Sequence, residues 1–207
     1  MIGTIINKLG EIIEKKIYTY QFDSVYFNKP IEIHEIEKLE KKFHIILPDD
    51  FKLFLYMIGN GGFGPGLGII PFGLDSVIDP RIPVEMNNKI NCRANFQYMR
   101  TWNYEPLRQA IEENSKDTDK LMDYYYSVER INGTIRIGDH GCGCINLLVV
   151  QGEEYGKIWA DARGSFGGIT PIVTPDNTSH HLSFLEWYDA WLTEIVEQIP
   201  LNQRYFS

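Results

Sequence analysis

Cys144-Ile145-Asn146-Leu147-Leu148-Val149-Val150 is the stretch on which the fold turns. It is short, almost wholly apolar and followed by turn residues, so it reads as a buried-type strand. Gly152-Glu153-Glu154-Tyr155-Gly156 then forms a turn, and Lys157-Ile158-Trp159-Ala160-Asp161 reads as the return strand of a hairpin. Upstream, Thr134-Ile135-Arg136-Ile137 alternates apolar and polar; downstream, Ile169 to Val173 adds a short edge strand, kept short by Pro171 and Pro175.

The flanks of this sheet are helical. Ser183-Phe184-Leu185-Glu186 is a capping box, in which Ser and Glu satisfy each other's free amides. Behind it Phe184, Trp187, Tyr188, Trp191, Leu192, Ile195, Val196 and Ile199 make one wide apolar face, ended by Pro200. On the N-terminal side, Ile2, Ile5, Ile6, Leu9, Ile12, Ile13 and Ile17 recur at steps of three and four, as on one stripe of a helix. An aromatic loop follows (Tyr18, Tyr20, Phe22, Tyr26, Phe27), then a second helix through Ile33, Ile36, Leu39 and Phe43. Pro48-Asp49-Asp50 opens a third through Phe51, Phe54, Leu55 and Ile58, since proline and acidic residues suit a first helical turn. Asn60-Gly61-Gly62 stops it. Leu67 to Phe72 reads as a first strand. Residues 73–103 carry no clean period; Glu105–Asn114 and Thr118–Tyr126 read as two helices with a charged joint. The fold class expected is α+β, with helices packed on a mainly antiparallel sheet, N-terminal helices and a C-terminal amphipathic helix.

The 207 residues are 43% hydrophobic and 23% charged, values that exclude a disordered or fibrous chain. No apolar run approaches the ~20 residues of a membrane-spanning helix. Asn7, Lys8 and Glu11 interrupt the first stripe, so it is no signal-peptide core, and three Cys make no disulfide framework. The expectation is a soluble cytoplasmic protein folded as a single domain over residues 1–207. It would carry a helical extension over about 1–30 and an irregular excursion over about 73–130.

The net charge of −8 is uneven: residues 1–50 sum to −2, 51–100 to +2, 101–150 to −3 and 151–207 to −5. A field of this sign opposes nucleic acid and anionic membrane, and attracts a basic protein.

Motif chemistry is sparse. Gly59-Asn60-Gly61-Gly62-Phe63-Gly64 matches G-x-G-x-x-G, but a helix precedes it and Pro65 follows, the reverse of the strand-then-helix order a dinucleotide needs. Asp139-His140-Gly141-Cys142-Gly143-Cys144 suggests a Cys–His nucleophile or a metal site. A closed zinc site needs four ligands, and the chain offers one Cys-x-Cys, a lone Cys92 and scattered His. The two thiols read instead as small core residues on one face of a strand. His180-His181 reads as a solvated loop. No catalytic residue, cofactor site or metal site is assigned, and the chain reads as non-enzymatic.

Taken in order, the pieces resemble the SUKH superfamily, the Smi/Knr-like group uniting fungal regulators of cell-wall glucan synthesis with bacterial toxin-immunity proteins. The resemblance is carried by Ile36-Glu37-Lys38-Leu39-Glu40, Leu47-Pro48-Asp49-Asp50-Phe51-Lys52 and Asn60-Gly61-Gly62. Further on come Ile137-Gly138-Asp139, Gly141-Cys142-Gly143, Gly156-Lys157-Ile158-Trp159 and Ser183-Phe184-Leu185-Glu186-Trp187 with Trp191-Leu192. It implies a binding module rather than an enzyme: an immunity protein that neutralises a cognate polymorphic toxin, often a nuclease in this family, by direct binding; the acidic charge adds that the toxin is basic. A regulatory or scaffold domain with an endogenous partner is the alternative, and an enzyme using Cys142 or Cys144 with His140 a remote one. The residues assigned to partner binding are Glu112, Glu113, Asp117 and Asp119 in the charged joint, with Glu153 and Glu154 in the hairpin turn.

Overall fold

Among the described residues four strands make the antiparallel sheet: β1 (Thr134–Gly141), β2 (Cys144–Val149), β3 (Ile158–Asp161) and β4 (Ile169–Pro171), in the spatial order β1-β2-β3-β4. The computed structural model describes residues 1–17, 19, 22–79 and 82–197. The run at β2 is apolar at nearly every position because both faces of the sheet are covered. Leu148 and Val150 join Ile135, Ile137 and Ile158 in one core, whereas Ile145, Leu147 and Val149 join Trp159 and Ile169 in another.

Helices cover the first face. They are α1 (Ile2–Lys15), α2 (Ile33–Phe43), α3 (Asp49–Met57) and the C-terminal helix Phe184–Val196. Their stripes (Ile5, Leu9 and Ile12; Ile36; Phe51, Phe54 and Leu55; Phe184 through Ile195) are buried together. The capping box forms, with the Ser183 amide donating to Glu186 Oε2 at 2.8 Å. Asp50 Oδ2 accepts a second amide of that end, from Leu185, at 3.1 Å, which locks the C-terminal helix to α3. α1, expected as an extension without an assigned role, lies within this core. Lys8 Nζ donates to Asp189 Oδ1 at 2.8 Å and to Thr193 Oγ1 at 2.6 Å, tying the first helix to the last. Of the aromatic loop, Phe22 is buried against Phe63, their ring centroids 5.2 Å apart, while Tyr18 and Tyr20 lie outside the described residues.

Much of the excursion covers the second face, while Val77 and Cys92 of its first part pack on the first core. The excursion contains α4 (Leu74–Val77), α5 (Val84–Asn87), α6 (Glu105–Glu112), α7 (Thr118–Tyr125) and a 3₁₀ turn at Val128–Ile131; the C-terminal helix is α8. Phe96, Tyr98, Trp102 and Ile131 close over Leu147, Val149 and Trp159. Backbone pairs seat it: Trp102 and Ile169 exchange two hydrogen bonds of 2.8 Å, and the Phe96 amide donates to the Gln151 carbonyl at 2.9 Å. Buried Arg136 of β1 donates to the Ile78 carbonyl at 3.0 Å and lies 3.6 Å from Asp79, fastening the segment after α4.

Two expectations change. Residues 67–72 form no strand; Ile69 makes only single bridges to Gly62 and Gly138. Positive φ at Gly66 and Gly68, and a proline without an amide at 71, break the ladder there. β1 runs on to Gly141, past its regular alternation, through register irregularities at Arg136/Gly138 and Asp139/Gly141. The helical face of α8 is described to Val196; Ile199 and Pro200 lie outside the described residues, as does Pro80. The glycine loop at 59–64 is a crossing point. Gly62 bridges both Phe27 and Ile69, its φ is +123°, and a Cβ there would lie 2.5 Å from the Tyr26 carbonyl.

Candidate functional site

α6 and α7 are short, and a buried ion pair holds the end of α7. Pro106 falls in the first turn of α6, which turns Leu107 and Ala110 inward and leaves Ile111 exposed. Behind α7, Arg163 grips Asp161 with two parallel bonds, Nε to Oδ1 at 2.8 Å and Nη2 to Oδ2 at 2.7 Å. Its Nη1 donates to the carbonyls of Tyr125 at 3.0 Å and Ser127 at 2.8 Å, so the end of β3 holds the end of α7. Both side chains are under a tenth exposed. The Tyr126 hydroxyl donates to the Arg163 carbonyl at 3.1 Å, and the Tyr125 hydroxyl accepts the Gly168 amide at 3.0 Å. Burial pushes both phenols above their ordinary range, so they stay neutral hydrogen-bonding groups at physiological pH.

Around this clasp the aromatic side chains form a continuous array. Trp102 stacks on Tyr125 at 5.4 Å and on Tyr104 at 6.2 Å; Tyr125 stacks on Phe166 at 6.2 Å. The Arg130 guanidinium lies 3.9 Å from the Tyr124 centroid and 5.2 Å from that of Trp102. Between α6 and this array lies a cavity of about 310 Å³, walled by Tyr104, Leu107, Ile111, Tyr125 and Phe166 and bordered by Glu105, Arg108 and Glu112. Arg108 reaches Glu105 at 2.5 Å and Glu112 at 3.4 Å, all three side chains being exposed. The hydrogen bond from Arg108 holds the Glu105 carboxyl below the usual carboxylate range.

Of the residues assigned to partner binding, Glu112, Glu113, Asp117 and Asp119 are all exposed at the joint between α6 and α7, and Glu112 lines this cavity. Glu153 is exposed too, but in the turn before β3, at the opposite end of that strand from the clasp. Glu154 is a correction. Its Oε2 accepts the Trp159 indole at 3.3 Å and lies 2.5 Å from His181 Nδ1, so it is turned inward and is no part of an open charged patch. The same contacts correct His181 from a solvated loop residue to a half-buried one, set edge-on to Trp159; His180 is exposed beside Glu186.

The cysteine motif is also corrected. Cys142 and Gly143 are the two residues of a tight turn between Gly141 and Cys144, with φ of +49° and +77°, so the thiols do not share a strand face. Cys142 is exposed; Cys144 is half-buried, its Sγ 3.6 Å from Ser165 Oγ. Both line a cleft of about 500 Å³ with His140, whose Nε2 is 2.5 Å from Asn146 Oδ1; among the described residues no hydrogen bond joins His140 to either thiol. No group of three or more His, Cys, Asp or Glu among the described residues is placed to hold a metal ion. Cys92 is half-buried, and burial raises its thiol to about 11. Alkylation of the native protein near pH 8, read by mass spectrometry, is therefore expected to label Cys142 first and Cys92 last. Equal labelling of the two would contradict this placement.

The pocket walls escaped the sequence reading. Trp102, Tyr104 and Tyr124-Tyr125-Tyr126 are dense in aromatics, but nothing local links them to Phe166 or marks Arg163 as their clasp. Among the described residues no helix is long and apolar enough to cross a membrane. No protein-family model matches this chain, and no curated protein matches it.

Proposed function

We propose that this chain is a non-catalytic protein-binding module, an immunity protein that neutralises a cognate basic toxin domain by direct binding through the α6–α7 face. One observation carries the reading: an aromatic-walled pocket opens within a surface where residues 105–123 hold six carboxylates against three cations. Tyrosine, tryptophan and arginine dominate the anchoring contacts of protein interfaces, because they combine large apolar area with a polar group. The surrounding carboxylates supply a field that speeds encounter with a basic partner. The order of motifs that resembles the SUKH superfamily supports the immunity role within this reading.

Co-expression with the product of the neighbouring gene, followed by pull-down, tests it. A stoichiometric complex with a basic toxin domain is expected, and a neighbour without affinity overturns the immunity role. Within such a complex, changing Glu112, Glu113, Asp117 and Asp119 to Lys is expected to slow association by ~10-fold or more at low ionic strength, with the difference shrinking in high salt. Glu153→Lys, at the other end of β3, is the control. Stopped-flow rates that do not respond to the four reversals remove α6–α7 from the interface.

A further inference from the structure

We infer that the cavity between α6, Tyr104, Tyr125 and Phe166 receives one arginine side chain of the protein partner; this rests on the protein-binding reading above and names the residue that anchors it. The lining combines the rings of Tyr104, Tyr125 and Phe166 with aliphatic side chains and two carboxylates, Glu105 and Glu112; Tyr125 is already stacked by Trp102 and Phe166, so the less buried Tyr104 and Phe166 are the rings that receive the cation. That pairing of π-faces with acceptors suits a planar cation on an apolar stem. A guanidinium stacks on a ring while its edge donates to a carboxylate, and it is weakly hydrated, so it gives up little on leaving water. A lysine ammonium would reach the same carboxylates but would lose strong hydration over the rings. An apolar side chain would fill the walls and leave the carboxylates unaddressed.

The molecule displays each half of this chemistry once, the ring contact at Arg130 and the carboxylate contact at Arg108. Arg130 already lies against Tyr124 and Trp102, at 3.9 and 5.2 Å, and Trp102 is itself stacked on the pocket residues Tyr104 and Tyr125. Arg108 already bridges the two border carboxylates, at 2.5 and 3.4 Å. That bridge is exposed and solvent-screened, so an incoming guanidinium exchanges for it readily. Arg108 thus occupies the acceptors until a partner arrives.

The test compares two fluorescent peptides of equal length and charge, one with four arginines and one with four lysines in a Gly-Ser background, by anisotropy at low ionic strength. The arginine peptide is expected to bind about fivefold more tightly, the size of a partly desolvated cation–π contact. Phe166→Ala is expected to erase that preference, and Arg108→Ala to strengthen binding of the arginine peptide. Ile111→Trp, which fills the cavity from an exposed position, reads out the same loss without touching the clasp and decides the matter if Phe166→Ala is misfolded. Equal affinities, or a preference that survives Ile111→Trp, overturn the arginine pocket. Equal affinities that fall together in Glu112→Lys leave the acidic docking face standing, whereas binding of neither peptide counts against both readings.

Discussion

Arg163→Ala is expected to cost about 3–5 kcal/mol of folding stability, the range for stripping one partner from a buried ion pair. The alanine leaves the Asp161 side chain without its guanidinium at under a tenth exposure, and it removes the donors from Arg163 to the Tyr125 and Ser127 carbonyls. The loss therefore has two parts: a carboxylate without its guanidinium, and carbonyls that lose a donor at Tyr125, the end of α7, and at Ser127 just beyond it, where the Arg130 amide at 3.3 Å remains. Arg163→Lys keeps the charge without the planar fork and is expected to fall between wild type and alanine. Removing both partners, Asp161→Ala with Arg163→Ala, is expected to cost less than the sum of the single changes, because no lone charge is left behind. Urea unfolding of the four proteins measures this directly. Single-mutant losses below about 1 kcal/mol would mean that water relieves the pair and that it does not clasp α7. The clasp also bears on the binding face, since the backbone it holds carries Tyr125, a wall of the pocket.

Phe184→Ala should be comparably damaging, at about 3–5 kcal/mol. The ring is fully buried at the first position of α8, with neighbouring centroids at 4.6 Å (Phe51), 5.0 Å (Phe54), 5.7 Å (Trp187) and 6.1 Å (Tyr188). Deleting it opens a void where α3 meets α8, and the neighbouring rings, packed on one another, have little freedom to collapse into it. Set against a typical total of ~5–15 kcal/mol, that is a large share of what keeps the chain folded. Thermal denaturation should show a drop on the order of 10 °C. Phe184→Leu, which keeps most of the volume, should lose much less; equal losses for leucine and alanine would point to the N-terminal turn of α8 rather than to the void.

The aromatic residues behave differently in these two places, and the contrast explains which parts of the molecule could be read from the chain. The α8 face announces itself because Phe184, Trp187, Tyr188, Trp191 and Leu192 repeat at helical spacing behind a capping box. The pocket aromatics have no such period: Trp102 and Tyr104 lie in a connecting segment, and Phe166 follows a 3₁₀ turn. The acidic joint was legible as a cluster of charge, but not the cavity beside it. The inward turn of Glu154 was hidden for a similar reason, since its partner His181 is 27 residues away.

Periodicity, caps and turn residues act within a few positions of one another, so α1–α3, α6–α8, the hairpin and the α+β class follow from the order of the amino acids alone, whereas the single-turn helices α4 and α5 do not. The nearly all-apolar run at β2 reads as a buried-type strand by itself. What lies on the second side, which acids stay open to solvent, and that Arg163 reaches 36 and 38 residues back to hold Ser127 and Tyr125, depend on contacts made only after the chain has collapsed. Such contacts are selected by shape and by the cost of leaving a buried charge or carbonyl unpaired, and neither quantity is written in local spacing.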